Sequence, residues 1–155
     1  MTKSVTCIHC KSIFSKMILL ALVIMLSQKS YSQTWSTVGS GGMNDWVYAS
    51  TTYNGDLIVG GKFTSAGGVS ANHIARWDGT NWYPLGLGVN GKVWALISFN
   101  GDLYAGGEFT EAGGQPMLFI AKWDGTQWLN DLGDMGDIVT SFAIYNNKLV
   151  VGGYF

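Results

Sequence analysis

The residue types in this chain that are best suited to chemistry are two cysteines, two histidines and ten carboxylates. Cys7 and Cys10 have the C-x-x-C spacing of a redox or metal-binding motif. They lie in a segment that we predict is removed on export, so we interpret the motif as incidental. The chain after residue 32 has no cysteine, which excludes a disulfide, a thiol nucleophile or a thiolate metal site from that part.

Three of the carboxylates, Asp131, Asp134 and Asp137, form a D-x-x-D-x-x-D cluster with glycines between them. Oxygen ligands of this kind suit Ca²⁺, but an EF-hand loop places its ligands at alternate positions. A solvated acidic loop is therefore the favoured interpretation. We predict no metal site and no cofactor.

His73 is the one histidine after residue 32, and Phe119 stands 46 residues further along in an equivalent context. A catalytic triad or a histidine metal site needs additional partners, and the sequence contains no G-x-S-x-G nucleophile elbow. We therefore predict no catalytic residues and a protein that is not an enzyme.

The N-terminus has the pattern of a secretory signal peptide. Basic residues precede the ten-residue apolar run 17–26, which is shorter than the about 20 residues that span a bilayer and matches an h-region. A Ser-x-Ser pattern ends at Ser32, so we predict a signal peptide over residues 1–32 and cleavage before Gln33. An uncut N-terminal anchor is the less favoured alternative. We expect residues 33–155 to be secreted or displayed at the cell surface, without a membrane span.

Removal of this leader changes the charge balance of the chain. Four lysines leave with it, and the remaining five basic and ten acidic residues give a net charge of −5. The basic residues are scattered singly, whereas a nucleic-acid binder needs a clustered basic surface. We therefore predict that nucleic acid is not a partner.

The elements that position these residues come from an internal repeat. Three units, 34–79, 80–125 and 126–155, align with one another, and a Gly-Gly pair recurs at intervals of 46 residues. A period of this size is typical of β-propeller blades and of some helical repeats. The residue types distinguish these two architectures.

Each unit contains strong β-hairpin signals. Asn54-Gly55 and Asn100-Gly101 separate runs that are rich in β-branched and aromatic residues, and Asn-Gly favours the type I′ turn of a two-residue hairpin. In the second unit we predict strands near 93–99, 102–108, 118–123 and 127–132. The sequence therefore predicts an all-β fold of antiparallel four-stranded blades, each of about 46 residues, in a partial β-propeller.

Two repeated motifs carry a resemblance to a known family. The first is G-G-x-F-T-x-A-G-G at 60–68 and 106–114, and the second is I-A-x-W-D-G at 74–79 and 120–125. Together they resemble the repeats of secreted kelch-like β-propeller proteins of the bacterial exported and fungal cell-cortex types. The resemblance implies extracellular or cell-surface placement and a binding or scaffold role. It brings no assigned catalytic residues, so none is transferred.

Most repeated residues are interpreted as structural, because each blade must solve the same packing problem. The Gly-Gly pairs allow close approach near a crowded axis, and we expect Trp77 and Trp123 to lie in the core between blades. Three other tryptophans are expected on the outermost strands, where an exposed ring could stack on a sugar: Trp35, Trp82 and Trp128.

The propeller is expected to be incomplete. Ring propellers have four to eight blades, whereas about two and two-thirds units of 46 residues follow residue 32. In an incomplete ring, the apolar strand at 149–151 would offer an open edge to another chain.

The function that these observations favour is a non-catalytic secreted or cell-surface interaction module or scaffold. Its ligand would be a protein or a polysaccharide, and the binding residues are not identified by sequence. The alternative is the N-terminal propeller segment of a larger secreted enzyme whose active site lies beyond residue 155.

Overall fold

The computed structural model describes residues 38, 39 and 41–155. The predicted signal peptide, Cys7, Cys10 and Trp35 lie outside these residues. The described part is all-β and its strands pair antiparallel, which confirms the predicted fold class. Among the described residues, no helix has the length and apolar character to cross a bilayer.

The first four-stranded sheet, which we call blade 1, has the strand order β1-β2-β5-β6, and a small β3-β4 hairpin lies between β2 and β5 in sequence. Its strands are β1 (Val47–Tyr53), β2 (Asp56–Gly61), β3 (Ser65–Ala66), β4 (Val69–Ser70), β5 (Ile74–Trp77) and β6 (Trp82–Pro84). The outermost strand β6 therefore belongs to blade 1, although it lies in the second sequence unit.

Blade 2 repeats this arrangement in the order β7-β8-β11-β12, and blade 3 is represented by the β13-β14 hairpin. The strands are β7 (Val93–Phe99), β8 (Asp102–Gly107), β9 (Glu111–Ala112), β10 (Gln115–Pro116), β11 (Ile120–Trp123), β12 (Trp128–Leu129), β13 (Val139–Tyr145) and β14 (Lys148–Gly153).

The four strands predicted in the second unit are present, with small differences at their ends. β11 begins at Ile120 rather than at residue 118, because Phe119 has a φ of 68° and so cannot continue an extended strand. β12 ends at Leu129, where its pairing with β11 stops.

The hairpin turns adopt the conformation that their sequence favours. Asn54 and Gly55 have φ angles of 51° and 88°, and both values must be positive in a type I′ turn. Asn146 and Asn147 reach 48° and 56° in the same turn of blade 3, because asparagine tolerates the left-handed region better than most residues. These angles confirm the predicted hairpins.

Successive blades pack through their first strands, and β1, β7 and β13 are neighbours in this order. A Cβ atom on Gly60 would lie 2.5 Å from Cγ1 of Val93 on the next blade, and Gly106 meets Val139 in the same way. The repeated glycines therefore admit a valine of the following blade, as their predicted structural role requires. On β14, Val150 is exposed, whereas its counterparts in blades 1 and 2, Ile58 and Tyr104, are buried.

The core consists of two apolar clusters. The larger one lies between blades 1 and 2 and combines Ile58 of the first blade with Val93 and Phe109 of the second. The smaller one covers the other face of blade 1 and includes Val59 and Phe63. Both phenylalanines are completely buried.

The expected exposure of Trp82 and Trp128 is wrong, because each of these rings is only 6% exposed. Trp82 packs against the half-buried Trp77 at a ring distance of 5.2 Å, and Trp128 packs against Trp123 at 5.3 Å. The Trp128 indole N–H donates to the carbonyl of Leu85 at 3.1 Å. The inner and outer tryptophans therefore form one packed pair in blade 1 and one in blade 2.

Candidate functional site

A groove of about 450 Å³ opens between blades 1 and 2, beside the loops that enter β1 and β7 and the ends of β2 and β8. We call it the interblade groove. It is lined by Asn44, Asp45, Lys62, Thr64, His73, Asn90, Gly91, Lys92 and Glu108.

Two asparagines hold the walls of the interblade groove. The side-chain carbonyl of Asn44 accepts hydrogen bonds from the backbone N–H groups of Thr64 and Ser65, both at 2.9 Å. Asn90 does the same for Thr110 at 2.8 Å and Glu111 at 2.9 Å in blade 2. Because the same pair of hydrogen bonds recurs in both blades, we assign a structural role to these asparagines. They hold the loops of the groove in place in the absence of a ligand.

Two ion pairs line the groove, one from each blade. The Lys62 ammonium lies 3.1 Å from the Asp45 carboxylate, and the Lys92 ammonium lies 2.8 Å from Glu108. A hydrogen bond from the backbone N–H of Trp46, and then one from Lys62, lower the pKa of Asp45. The hydrogen bond from Lys92 lowers the pKa of Glu108. Both carboxylates are therefore charged at neutral pH.

Aromatic rings accompany these ion pairs. Trp46 directly follows Asp45 and is 71% exposed. Tyr48 of blade 1 stacks on Trp94 of blade 2, with ring centroids 4.2 Å apart and planes inclined by 17°. The Trp94 indole N–H donates to Glu108 at 3.0 Å, so the stacked rings are tied to the charged wall.

His73 lines the interblade groove and also a neighbouring cavity of about 410 Å³. Its Nδ1 atom is buried and has no hydrogen-bond partner among the described residues. Burial lowers the pKa of His73, so its imidazole is neutral at pH 7. Phe119 has the same left-handed backbone, with φ of 68° against 64°. The left-handed backbone conformation is therefore a shared feature of blades 1 and 2, and only the imidazole side chain is specific to blade 1.

Two positions, one in the groove and one directly after a groove residue, carry side chains of different chemical type in the three blades. Each position recurs at an interval of 46 residues. The residues in blades 1, 2 and 3 are Trp46, Lys92 and Ile138 at the first position, and Lys62, Glu108 and Tyr154 at the second. Comparison of the three units for changes in side-chain chemistry would have found both positions from sequence.

The acidic cluster of the third unit is not gathered into one site. Asp131 pairs with Lys122, Asp134 accepts a hydrogen bond from the Leu118 backbone at 3.4 Å, and Asp137 accepts one from the adjacent residue. Within the part of the chain that the structure describes, no group of three or more His, Cys, Asp or Glu residues is placed to hold a metal ion.

Comparison with known proteins gives one family match. A family model described as a domain of unknown function (DUF5122) beta-propeller matches residues 54–77, which run from the first hairpin turn of blade 1 to the end of β5. This match supports a β-propeller repeat, whereas the kelch-like resemblance stays a prediction. No curated protein and no solved structure gives a significant match to the chain.

Proposed function

We propose that this chain is an exported, non-catalytic β-propeller module that binds a protein or polysaccharide ligand in the interblade groove. One observation carries this proposal. The residues that build the blades repeat at 46-residue intervals, whereas Lys62 and His73, which line the groove, are replaced by different chemistry in blade 2. Trp46, which directly follows the lining residue Asp45, is replaced as well. Function resides in sites carried by a fold rather than in the repeated scaffold.

The state of the groove carboxylates supports binding rather than catalysis. A general acid at neutral pH needs a raised pKa, but the lysine partner of Glu108 lowers the pKa of that carboxyl. His73 has no hydrogen-bond partner at Nδ1 within the described residues, so no described carboxylate orients it as a general base. Paired, charged side chains of this kind suit the recognition of polar ligand groups.

The proposed location rests on the sequence of the leader. The short apolar run and the Ser-x-Ser pattern support an extracellular location, where the module would meet envelope polysaccharides and surface proteins. A net charge of −5 after residue 32 opposes nucleic acid as the ligand.

A binding assay with repeat-swap variants tests the proposal. The chain is incubated with cell envelopes of the organism that encodes it, and the bound fraction is measured by co-sedimentation. Trp46→Lys inserts the side chain that blade 2 carries at this position, so the fold should accept it. Lys62→Glu is combined with Trp46→Lys, because Lys92 and Glu108 form an ion pair at these two positions of blade 2, whereas the glutamate alone would face the Asp45 carboxylate. The matched control is Val69→Gln, which exchanges an exposed residue away from the groove for its counterpart, Gln115, in blade 2.

We expect the wild-type chain and Val69→Gln to bind equally well. Each groove variant should bind about tenfold or more weakly, as for the loss of a hot-spot residue, with an unchanged melting temperature. Absence of binding by the wild-type chain, or equal binding by all variants, would contradict the proposal.

A further inference from the structure

Resting on the function proposed above, we infer that the ligand of the interblade groove is an uncharged carbohydrate chain. Its sugar rings would stack on the exposed ring of Trp46, and its hydroxyl groups would bind to the two ion pairs. The inference depends on the charge, the hydrogen-bonding capacity and the aromatic surface of the described residues.

The charge of the groove favours an uncharged ligand. Its walls carry two lysines and two carboxylates, joined as the pairs Lys62–Asp45 and Lys92–Glu108. Within each pair the opposite charges are close together, so their fields largely cancel at the distance of a ligand. A polyanion or a polycation would meet as much repulsion as attraction from these four groups.

The ion pairs offer hydrogen-bond donors and acceptors side by side. An ammonium group has three N–H donors and a carboxylate has about four acceptor positions. Glu108 accepts from both Lys92 and the Trp94 indole N–H, so about two acceptor positions of Glu108 and about two donors of Lys92 remain free. The side chains of Lys92 and Glu108 are each about one third exposed, at 36% and 32%. A sugar hydroxyl both donates and accepts, and neighbouring hydroxyls on one ring match such a pair.

Trp46 supplies the apolar surface that a sugar ring needs. An indole presents a flat apolar face with a polar edge, and at 71% exposure this ring is accessible. By contrast, Trp94 is occupied, because Tyr48 stacks on it and the Lys92 ammonium lies 5.5 Å from its ring centroid. Trp46 is therefore the aromatic platform, and the Tyr48–Trp94 stack supports the wall.

The orphaned nitrogen of His73 points to a polar group that completes the site. A buried ring nitrogen without a hydrogen bond is costly, and Nδ1 of His73 has no partner among the described residues. In blade 2, Phe119 avoids this cost at the equivalent position. Nδ1 itself is buried, so a ligand hydroxyl would satisfy it only after the His73 ring turns toward the groove that the residue lines.

Two treatments of the envelopes distinguish a carbohydrate from a protein ligand. Periodate cleaves the bond between neighbouring hydroxyl-bearing carbons of a sugar, whereas a proteinase, removed before the assay, degrades surface proteins. Isolated cellulose, xylan and mannan, whose rings carry neighbouring free hydroxyls, serve as defined probes. The chain is added to each preparation, together with the variants Trp46→Lys, His73→Phe and Val69→Gln.

We expect binding to survive the proteinase, to be lost after periodate, and to be reproduced by at least one of the three polysaccharides. Trp46→Lys should bind that polysaccharide about tenfold or more weakly, His73→Phe should also weaken binding, and Val69→Gln should not change it. Loss of binding after proteinase and persistence after periodate would overturn the carbohydrate inference and leave the proposed binding function intact. Failure to bind untreated envelopes would instead contradict the proposed function.

Discussion

At the scale of single residues, contacts with a neighbouring ring determine whether the outer tryptophans are buried or exposed, and a hydrogen bond adds to this for Trp128. Trp128 lies on a two-residue strand at the blade periphery, yet it is buried by Trp123 and anchored to the carbonyl of Leu85 from the preceding blade. Trp82 is held by the same ring contact with Trp77. These outer rings therefore contribute to the core and are unavailable to a ligand.

We expect Trp82→Ala and Trp128→Ala each to lower the free energy of unfolding by about 3–5 kcal/mol, the usual cost of truncating a buried tryptophan. Trp46→Ala, at an exposed position, should change it by no more than about 0.5 kcal/mol. Urea denaturation followed by circular dichroism measures all three. Losses of equal, small size would contradict the packing described for the outer strands.

His73 makes stability depend on pH in a defined direction. Burial lowers its pKa below the ordinary value of 6.5, so the unfolded chain takes up this proton at a higher pH than the folded chain does. Its contribution to stability is complete above about pH 6.5 and is lost as the pH falls through the lower pKa of the folded state.

We expect the melting temperature of the wild-type chain to fall more steeply than that of His73→Phe between about pH 7 and pH 5. The phenylalanine variant should fold, because Phe119 adopts the same backbone conformation in blade 2. Differential scanning calorimetry over this range makes the comparison. Parallel pH profiles for the two proteins would show that His73 is not linked to folding.

At the scale of elements, the repeated glycines set the distance between blades. Gly60 lies on β2 and faces Val93 at the start of β7, and the absence of a Cβ atom permits this contact. Val93 is completely buried as a result. Gly60 and Val93 therefore form a single packing contact between blade 1 and blade 2.

Gly60→Ala should destabilise the chain by about 1–3 kcal/mol, because its methyl group would overpack the contact with Val93. Val93→Ala alone should also destabilise, by leaving a cavity. The double variant should be more stable than the sum of the two losses predicts, since the new methyl group occupies part of that cavity. Strictly additive free energies of unfolding would contradict a direct contact between β2 and β7.

Local sequence signals were sufficient to predict the elements but not their mutual packing. The Asn-Gly turns and the β-branched runs specify the hairpins, because turn angles and side-chain alternation are local properties. The burial of Trp128 depends on Leu85, which is 43 residues away, and the groove depends on loops from two blades. Likewise, the left-handed backbone of Phe119 has no local signal, since non-glycine residues rarely adopt it.

At the scale of the whole molecule, the chain joins a predicted export leader to a β-propeller scaffold whose blades differ in side-chain chemistry at the interblade groove. The leader lies outside the described residues, and its removal is predicted from the apolar run 17–26 and the pattern ending at Ser32. The groove can meet an external ligand only if the chain is exported. Export and binding are therefore separate requirements of the proposed function, and each can be tested by itself.

We expect the exported protein to begin at Gln33. Intact-mass and N-terminal peptide measurements on the extracellular and membrane fractions of expressing cells identify the first residue. A Ser32→Leu substitution should slow cleavage, because the peptidase requires a small residue at this position, whereas a Gln28→Asn control should not. Recovery of the protein with Met1 intact in the membrane fraction would contradict the signal-peptide prediction.

Binding in the interblade groove is most directly tested by nuclear magnetic resonance of the tryptophan side chains. The chain has seven tryptophans, so a ¹⁵N-labelled sample gives seven indole N–H signals, which single substitutions assign. During titration with a soluble oligosaccharide of the polysaccharide that binds, we predict that the signals of Trp46 and Trp94 shift. Those of the buried Trp82 and Trp128 should stay in place. Shifts confined to Trp82 and Trp128, with Trp46 unchanged, would contradict the groove as the binding site.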